Sequence, residues 1–147
     1  MSDAPVIAFG SDDRSALTEA LLHELDRRGC TIVRFGAVQD GGTDWPSIAR
    51  SVGETVARGA AALGVVCCWT GTGVSIAANK VRGVRAALCA DAATAAGART
   101  WNDANVLALS LRATSIPVAL EILDAFLATR PSEDRGDVAA IESIEQE

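Results

Sequence analysis

The chain has 147 residues, of which 49% are hydrophobic and 22% are charged, and its formal net charge is −6. This length predicts a single domain, residues 1–147, with a buried core. The excess of acids argues against nucleic acid as a partner, and no apolar run is long enough to cross a bilayer. The first residues lack a secretory leader and the four cysteines lack zinc spacing, which predicts a cytoplasmic protein with reduced thiols.

Apolar runs alternate with amphipathic stretches along the whole chain. The helical spacing of Leu17, Leu21 and Leu25 is one example of the amphipathic pattern. Five strands are predicted, at residues 6–9, 31–35, 63–68, 84–90 and 105–109. Helices are predicted at residues 16–28, from 44 to about 58, 74–80, 91–101, 116–128 and from about 135.

This alternation predicts an α/β fold, a Rossmann-like three-layer α/β/α sandwich around a five-stranded parallel sheet. Ligands bind beyond the carboxyl ends of the strands in such sheets. Those ends carry Asp12, Asp13, Asp91 and the segment 68–73. The loop at Asn102 precedes the fifth strand, so it needs another route to a site, and a neighbouring subunit is one such route.

The segment from Cys68 to Lys80 is the most informative stretch. A buried strand leads into a glycine turn, and a helix follows. The free N–H groups and the dipole of a helix N-terminus favour an anion there, and they favour the thiolate of an adjacent cysteine. The alternative is that the turn is only a connection, because it matches neither a dinucleotide fingerprint nor a Walker loop.

The last segment, residues 132–147, contains six acids and a single base. A solvated acidic tail and a more specific role both fit this composition. The only histidine, His23, is predicted to lie on the surface of the first helix, away from any site.

Three motifs resemble one known family, the ribose-5-phosphate isomerase B and galactose-6-phosphate isomerase family. The motifs lie at residues 68–80, 83–89 and 102–107, and the opening residues 10–12 fit as well. The resemblance covers nearly the whole chain. It implies a doubly wound fold, homodimers with active sites at the interface and residues from both chains, and aldose–ketose isomerisation without a cofactor. Pairing of dimers into tetramers is left open.

The resemblance also implies roles for individual residues. Cys68 matches the base that takes a proton beside the carbonyl, Thr70 matches part of the enediolate cradle, and Asp12 matches an acid that contacts substrate hydroxyls. Substrate contacts are expected from residues on both sides of this motif: Asp13, Trp45, Trp69, Gly71, Thr72, Gly73, Ser75, Trp101, Asn102 and Arg112.

Several positions depart from the family pattern. Asp13 and Trp101 stand where the family has histidines, and the phosphate-binding arginines align with Glu133, Gly136 and Asp137. All three tryptophans fall at positions that line the family's site. These changes predict a sugar that is unphosphorylated or unusually modified. The second hypothesis is a non-catalytic paralogue that binds a small molecule or has a regulatory role.

Overall fold

The computed structural model describes residues 4–145. Five parallel strands form one sheet in the order β2-β1-β3-β5-β4. The strands are β1 (Val6–Ser11), β2 (Thr31–Gly36), β3 (Leu63–Cys68), β4 (Ala86–Leu88) and β5 (Val106–Ser110). The helices are α1 (Ala16–Arg27), α2 (Trp45–Ala57), α3 (Thr72–Asn79), α4 (Ala92–Asn102), α5 (Ile116–Ala128) and α6 (Arg135–Ile144). The predicted three-layer α/β architecture is confirmed.

Each face of the sheet carries its own apolar core. Helices α1, α4 and α5 cover one face, where Phe9, Leu107 and Phe126 are fully buried. Helices α2 and α3 cover the other, above Val66 and Cys68. Because side chains alternate along a strand, the adjacent Cys67 and Cys68 point into different cores, as predicted, and all four cysteines are free thiols.

Most element boundaries agree with the sequence prediction, and two differ for identifiable reasons. The prediction placed the start of α3 at Val74, but the helix begins at Thr72 because Gly71 makes the turn with a φ of 77°. Strand β4 is shorter than predicted because side chains replace strand pairing near its start. The amide of Asn79 bonds both the N–H and the C=O of Ala86, and Asn105 Oδ1 accepts from the N–H of Arg85.

The loops that follow the central strands leave the sheet in different directions. After β1 and β5 the chain turns to α1 and α5 on one face, whereas after β3 it turns to α3 on the other. A crevice therefore opens on both sides of the end of β3, which is the usual position of a ligand site in this type of sheet. Within residues 4–145, no helix combines the length and the hydropathy that a membrane span requires.

Candidate active site

Cys68 is the last residue of β3 and lies at the carboxyl-terminal edge of the sheet. Its carbonyl oxygen accepts a 2.9 Å hydrogen bond from the backbone N–H of Leu111, which ties it to the neighbouring strand segment. The side chain belongs to the same apolar cluster as Val74, and Cys68 is 5% exposed. The thiol therefore has a fixed position at the floor of the crevice.

The other three thiols are unsuited to proton transfer. Burial raises the pKa of Cys30, and it raises the pKa of Cys89 to about 11. Burial also raises the pKa of Cys67, and the nearby Cys68 and Asp12 raise it further. Each of these shifts disfavours the thiolate, which is the form that accepts a proton.

The loop after Cys68 is fixed against β5. The carbonyl oxygen of Trp69 accepts two hydrogen bonds, one from the N–H of Arg112 at 3.0 Å and one from Ser110 Oγ at 3.1 Å. Gly71 packs so closely that a Cβ there would lie 2.8 Å from the carbonyl carbon of Leu109. Only glycine fits this place, since its φ of 77° also disfavours other residues.

The same loop presents unused backbone donors. Among residues 4–145, no acceptor is paired with the N–H groups of Thr70 and Gly71. The first turn of α3 follows at once, and its N-terminal N–H groups add to the local positive potential. The hydroxyls of Thr70 and Thr72 are 2.7 Å apart and hydrogen bonded. The arrangement suits an oxyanion, as the glycine turn predicts.

Ser75 is the fourth residue of α3, and its N–H donates to the carbonyl of Gly71 at 3.3 Å, closing the first turn of the helix. The side chain of Ser75 is partly buried on the same turn as Gly73. Ser75 therefore lies in the first turn of α3, next to the predicted substrate-contacting residues Gly71 to Gly73.

Asp12 follows β1 and reaches the same crevice from the other side. Its N–H donates to the carbonyl of Cys67 at 3.4 Å. Burial raises the pKa of Asp12, and the charge of Asp13 raises it further. Asp13 itself is exposed and accepts a hydrogen bond from the N–H of Arg14. Asp12 is thus partly buried next to the end of β3, whereas Asp13 is exposed.

Two of the three tryptophans lie beside the loop. Trp45, the first residue of α2, covers Gly73, where an added Cβ would lie 3.0 Å from the indole ring. Trp69 directly follows Cys68 and is 63% exposed. Trp101, in the last turn of α4, is 62% exposed and packs over Gly97, whereas Trp45 begins α2 and Trp69 follows β3.

Trp101 and Asn102 end α4 at the amino-terminal edge of the sheet, away from Cys68. Asn102 lines a cleft of about 630 Å³ there. The turn after Asn102 is held firmly, because Asp103 adopts a φ of 47° and contacts both Arg85 and Arg99. Within one chain, the structure therefore does not bring these two residues to the thiol.

A second cleft, of about 420 Å³, opens on the β5 side of the loop. Its lining includes Thr70, Leu88, Ser110 and Arg112. Ser110 was not predicted as a site residue from the sequence. The feature that identifies it is its pairing with Cys68 across β3 and β5, which only the folded sheet shows. Within the described part of the chain, no cluster of His, Cys, Asp and Glu could hold a metal ion.

The chain is similar to known proteins over nearly its whole length. The model of a family described as Ribose/Galactose Isomerase matches residues 7–144. Ribose-5-phosphate isomerase B of Escherichia coli strain K12 is 38% identical over 143 residues, which cover 95% of this chain and 96% of that protein. The chain belongs to the ribose/galactose isomerase family.

Other members of the family support the same assignment. The galactose-6-phosphate isomerase subunit LacB of Clostridium acetobutylicum is 37% identical over 142 residues, which cover 96% of this chain and 82% of that protein. The solved structure of type B ribose 5-phosphate isomerase from Trypanosoma brucei superposes with a TM-score of 0.89 at 36% identity, and covers 97% of both chains. The fold and family predicted from the motifs are confirmed.

Proposed function

We propose that this protein is an aldose–ketose isomerase in which Cys68 is the base. The observation that supports this most directly is the position of the thiol. It lies at the end of β3 and directly before the loop whose Thr70 and Gly71 N–H groups have no acceptor among the described residues, and the N–H of Asp12 bonds the carbonyl of the preceding Cys67. A base, an oxyanion site and a hydroxyl-binding acid are the groups that such an isomerisation needs.

The proposed reaction moves one proton between neighbouring carbons and one proton between their oxygens. Cys68, as thiolate, takes the proton from the carbon beside the carbonyl. The electron pair of that C–H bond forms the enediolate double bond, and the π pair of the carbonyl moves to its oxygen, which becomes the oxyanion. The N–H groups of Thr70 and Gly71 stabilise the oxyanion, with the Thr70 hydroxyl oriented by Thr72. A proton passes from the neighbouring hydroxyl to this oxyanion. The Cys68 thiol then returns a proton to the former carbonyl carbon as the deprotonated oxygen forms the new C=O bond, which gives the isomeric carbonyl compound. Asp12 binds a substrate hydroxyl.

The charges around the loop favour a sugar that is unphosphorylated or unusually modified. Asp12 and Asp13 place two carboxyl groups at this edge. Arg14 does not offset them, because its Nε is 2.7 Å from Glu19 in an ion pair. Arg112 borders the cleft beside Thr70 and is the proposed contact for the far end of the substrate. A phosphate dianion needs more paired cations than this loop offers.

The tryptophans support the same substrate class. Trp45 and Trp69 expose indole faces beside the loop, and such faces stack on the C–H face of a sugar. Trp101 is proposed to reach the site from a second subunit, together with Asn102. A site with three indoles is suited to a less polar ligand than a pentose phosphate.

Hydrogen exchange in heavy water tests the proposed function. We expect the protein to replace the C–H proton beside the carbonyl with deuterium in at least one sugar of a panel of aldoses and ketoses, free and phosphorylated. NMR follows the loss of that proton signal. Faster exchange with a free sugar than with ribose 5-phosphate supports the proposed substrate class, and the reverse order contradicts it. The absence of exchange across the panel contradicts isomerase activity.

We further propose a homodimer whose sites combine Cys68 of one subunit with Asn102 of the other. The support is geometric. Asn102 and Trp101 are exposed on a rigid turn, yet they lie at the wrong edge of the sheet to reach Cys68 in the same chain. A second chain related by two-fold symmetry would supply these residues reciprocally to both sites.

Subunit mixing tests this shared site. Cys68→Ala and Asn102→Ala homodimers are each expected to be nearly inactive. After the two proteins are unfolded together and refolded, half of the dimers are mixed, and each has one intact site. Roughly a quarter of the wild-type activity should therefore return. No recovery, with mixed dimers demonstrated by native mass spectrometry, would place both residues in sites within one chain.

One observation favours the second candidate, a non-catalytic binding protein. Cys68 is almost fully buried, and the large side chain of Trp69 follows it at the mouth of the crevice. A ligand could then bind over the indole without reaching the thiol. Under this alternative, Cys68→Ala leaves ligand affinity unchanged and the heavy-water panel shows no exchange.

A further inference from the structure

Ser110 ends β5 in register with Cys68, and its hydroxyl has two hydrogen-bond partners. The N–H of Ala113 donates to Ser110 Oγ at 3.1 Å, and Ser110 Oγ lies 3.1 Å from the carbonyl oxygen of Trp69. A carbonyl oxygen cannot donate, so the Ser110 proton must point at Trp69. Ser110 is 9% exposed, which leaves little room for another arrangement.

The Ser110 hydroxyl therefore helps to fix the orientation of the Trp69–Thr70 peptide at the proposed site. In a trans peptide, the C=O and the following N–H point in opposite directions. The carbonyl of Trp69 points at β5, where Ser110 and Arg112 hold it. The N–H of Thr70 must then point away from β5, toward the side of β3 on which β1 and Asp12 lie.

We propose that Ser110 is a positioning residue for the isomerase reaction, which aims the Thr70 N–H at the enediolate oxygen by fixing the Trp69–Thr70 peptide. This proposal rests on the proposed function. Ser110 is assigned no contact with the reacting atoms, since its proton is directed at Trp69 and its oxygen already accepts from the N–H of Ala113. A donor that is already aimed needs no reorganisation when the charge develops, so its effect appears in kcat and not in KM.

The test compares Ser110→Ala with Ser110→Thr and with Thr55→Val. Thr55→Val is the matched control, because Thr55 is 2% exposed and its hydroxyl donates to Ser51 O at 2.7 Å within α2, away from the loop. With the sugar that exchanges fastest in heavy water, Ser110→Ala should lower kcat about tenfold to a hundredfold with KM within about twofold. Ser110→Thr should restore kcat, and Thr55→Val should leave it unchanged.

A second readout does not depend on turnover. The backbone ¹⁵N resonance of Thr70 reports hydrogen bonding to the carbonyl of Trp69, so it should move in Ser110→Ala and return in Ser110→Thr. Ser110→Cys, a near-isosteric change with a weaker donor, provides the comparison should Ser110→Ala fail to fold. A Thr70 resonance that does not move overturns the proposed geometry, even if the wild type turns over no sugar. If the Thr70 resonance moves while kcat stays at the wild-type value, the proposed isomerase function stands and the positioning role of Ser110 is overturned.

Discussion

Replacement of Cys68 with alanine is expected to lower the rate of proton exchange and of isomerisation by about a thousandfold or more. The reason is that the thiol is the proposed base, and burial disfavours the thiolate of each of the other three cysteines. The rate is measured by NMR in heavy water with the sugar found most active in the panel. Folding should be unaffected, because the lost sulfur lies at the edge of the sheet and the backbone bond from Leu111 to Cys68 remains.

Cys30→Ala is the matched control for this experiment. Cys30 is a buried free thiol at the opposite edge of the sheet, just before β2. Loss of its sulfur should change the melting temperature at least as much as Cys68→Ala and leave the exchange rate at the wild-type value. Equal exchange by wild type and Cys68→Ala would remove Cys68 from the mechanism, and the carboxyl group of Asp12 would then be the base to examine.

Gly71→Ala is expected to have the largest effect on stability among single changes in the loop. The backbone φ of 77° disfavours any side chain, and the new Cβ would also lie 2.6 Å from Leu88 Cδ1 and 2.8 Å from the carbonyl carbon of Leu109. Leu88 can adjust, but the backbone of β5 cannot. The combined loss should be about 3 kcal/mol in the free energy of unfolding, measured by urea denaturation, with loss of the oxyanion site.

Gly59→Ala separates the effect of backbone strain from the effect of the steric clash. Gly59 has a φ of 80°, but nothing lies within 4 Å of its missing Cβ, so this variant carries the backbone strain without the clash. It should lose about 1 kcal/mol and keep full activity. If Gly71→Ala proves as stable as Gly59→Ala, then the loop is free to move off β5 and the close packing of Gly71 has no structural role.

The acidic end of the chain shows where sequence patterns stopped being informative. Composition alone left open whether residues 132–147 form a solvated tail or have a specific role. In the structure Asp134 caps α6, and Glu145 reaches Arg85 at 2.8 Å near the start of β4. Part of the segment is thus structural. Glu147 lies outside the described residues.

The family motifs contain residues of two kinds that the sequence did not separate. Asn79 and Asn105 stand in the motifs beside the predicted site residues. The structure shows that their amides bond backbone groups around β4 and the residues just before it, so they support the sheet edge. Thr70 and Gly71, by contrast, present donors that no described residue uses. A motif specifies which residues occur together, whereas only the contacts reveal which of them hold the fold.

The sequence by itself determined the α/β class, nearly every strand and helix, and the edge of the sheet that holds Cys68, because hydrophobic periodicity and glycine turns act over a few neighbouring residues. Only the tertiary structure decided that Ser110 holds the carbonyl of Trp69 and that Arg14 is paired with Glu19. The first of these depends on strand order. The crossover after β3 skips one position and β5 returns beside it, which brings together residues about forty positions apart.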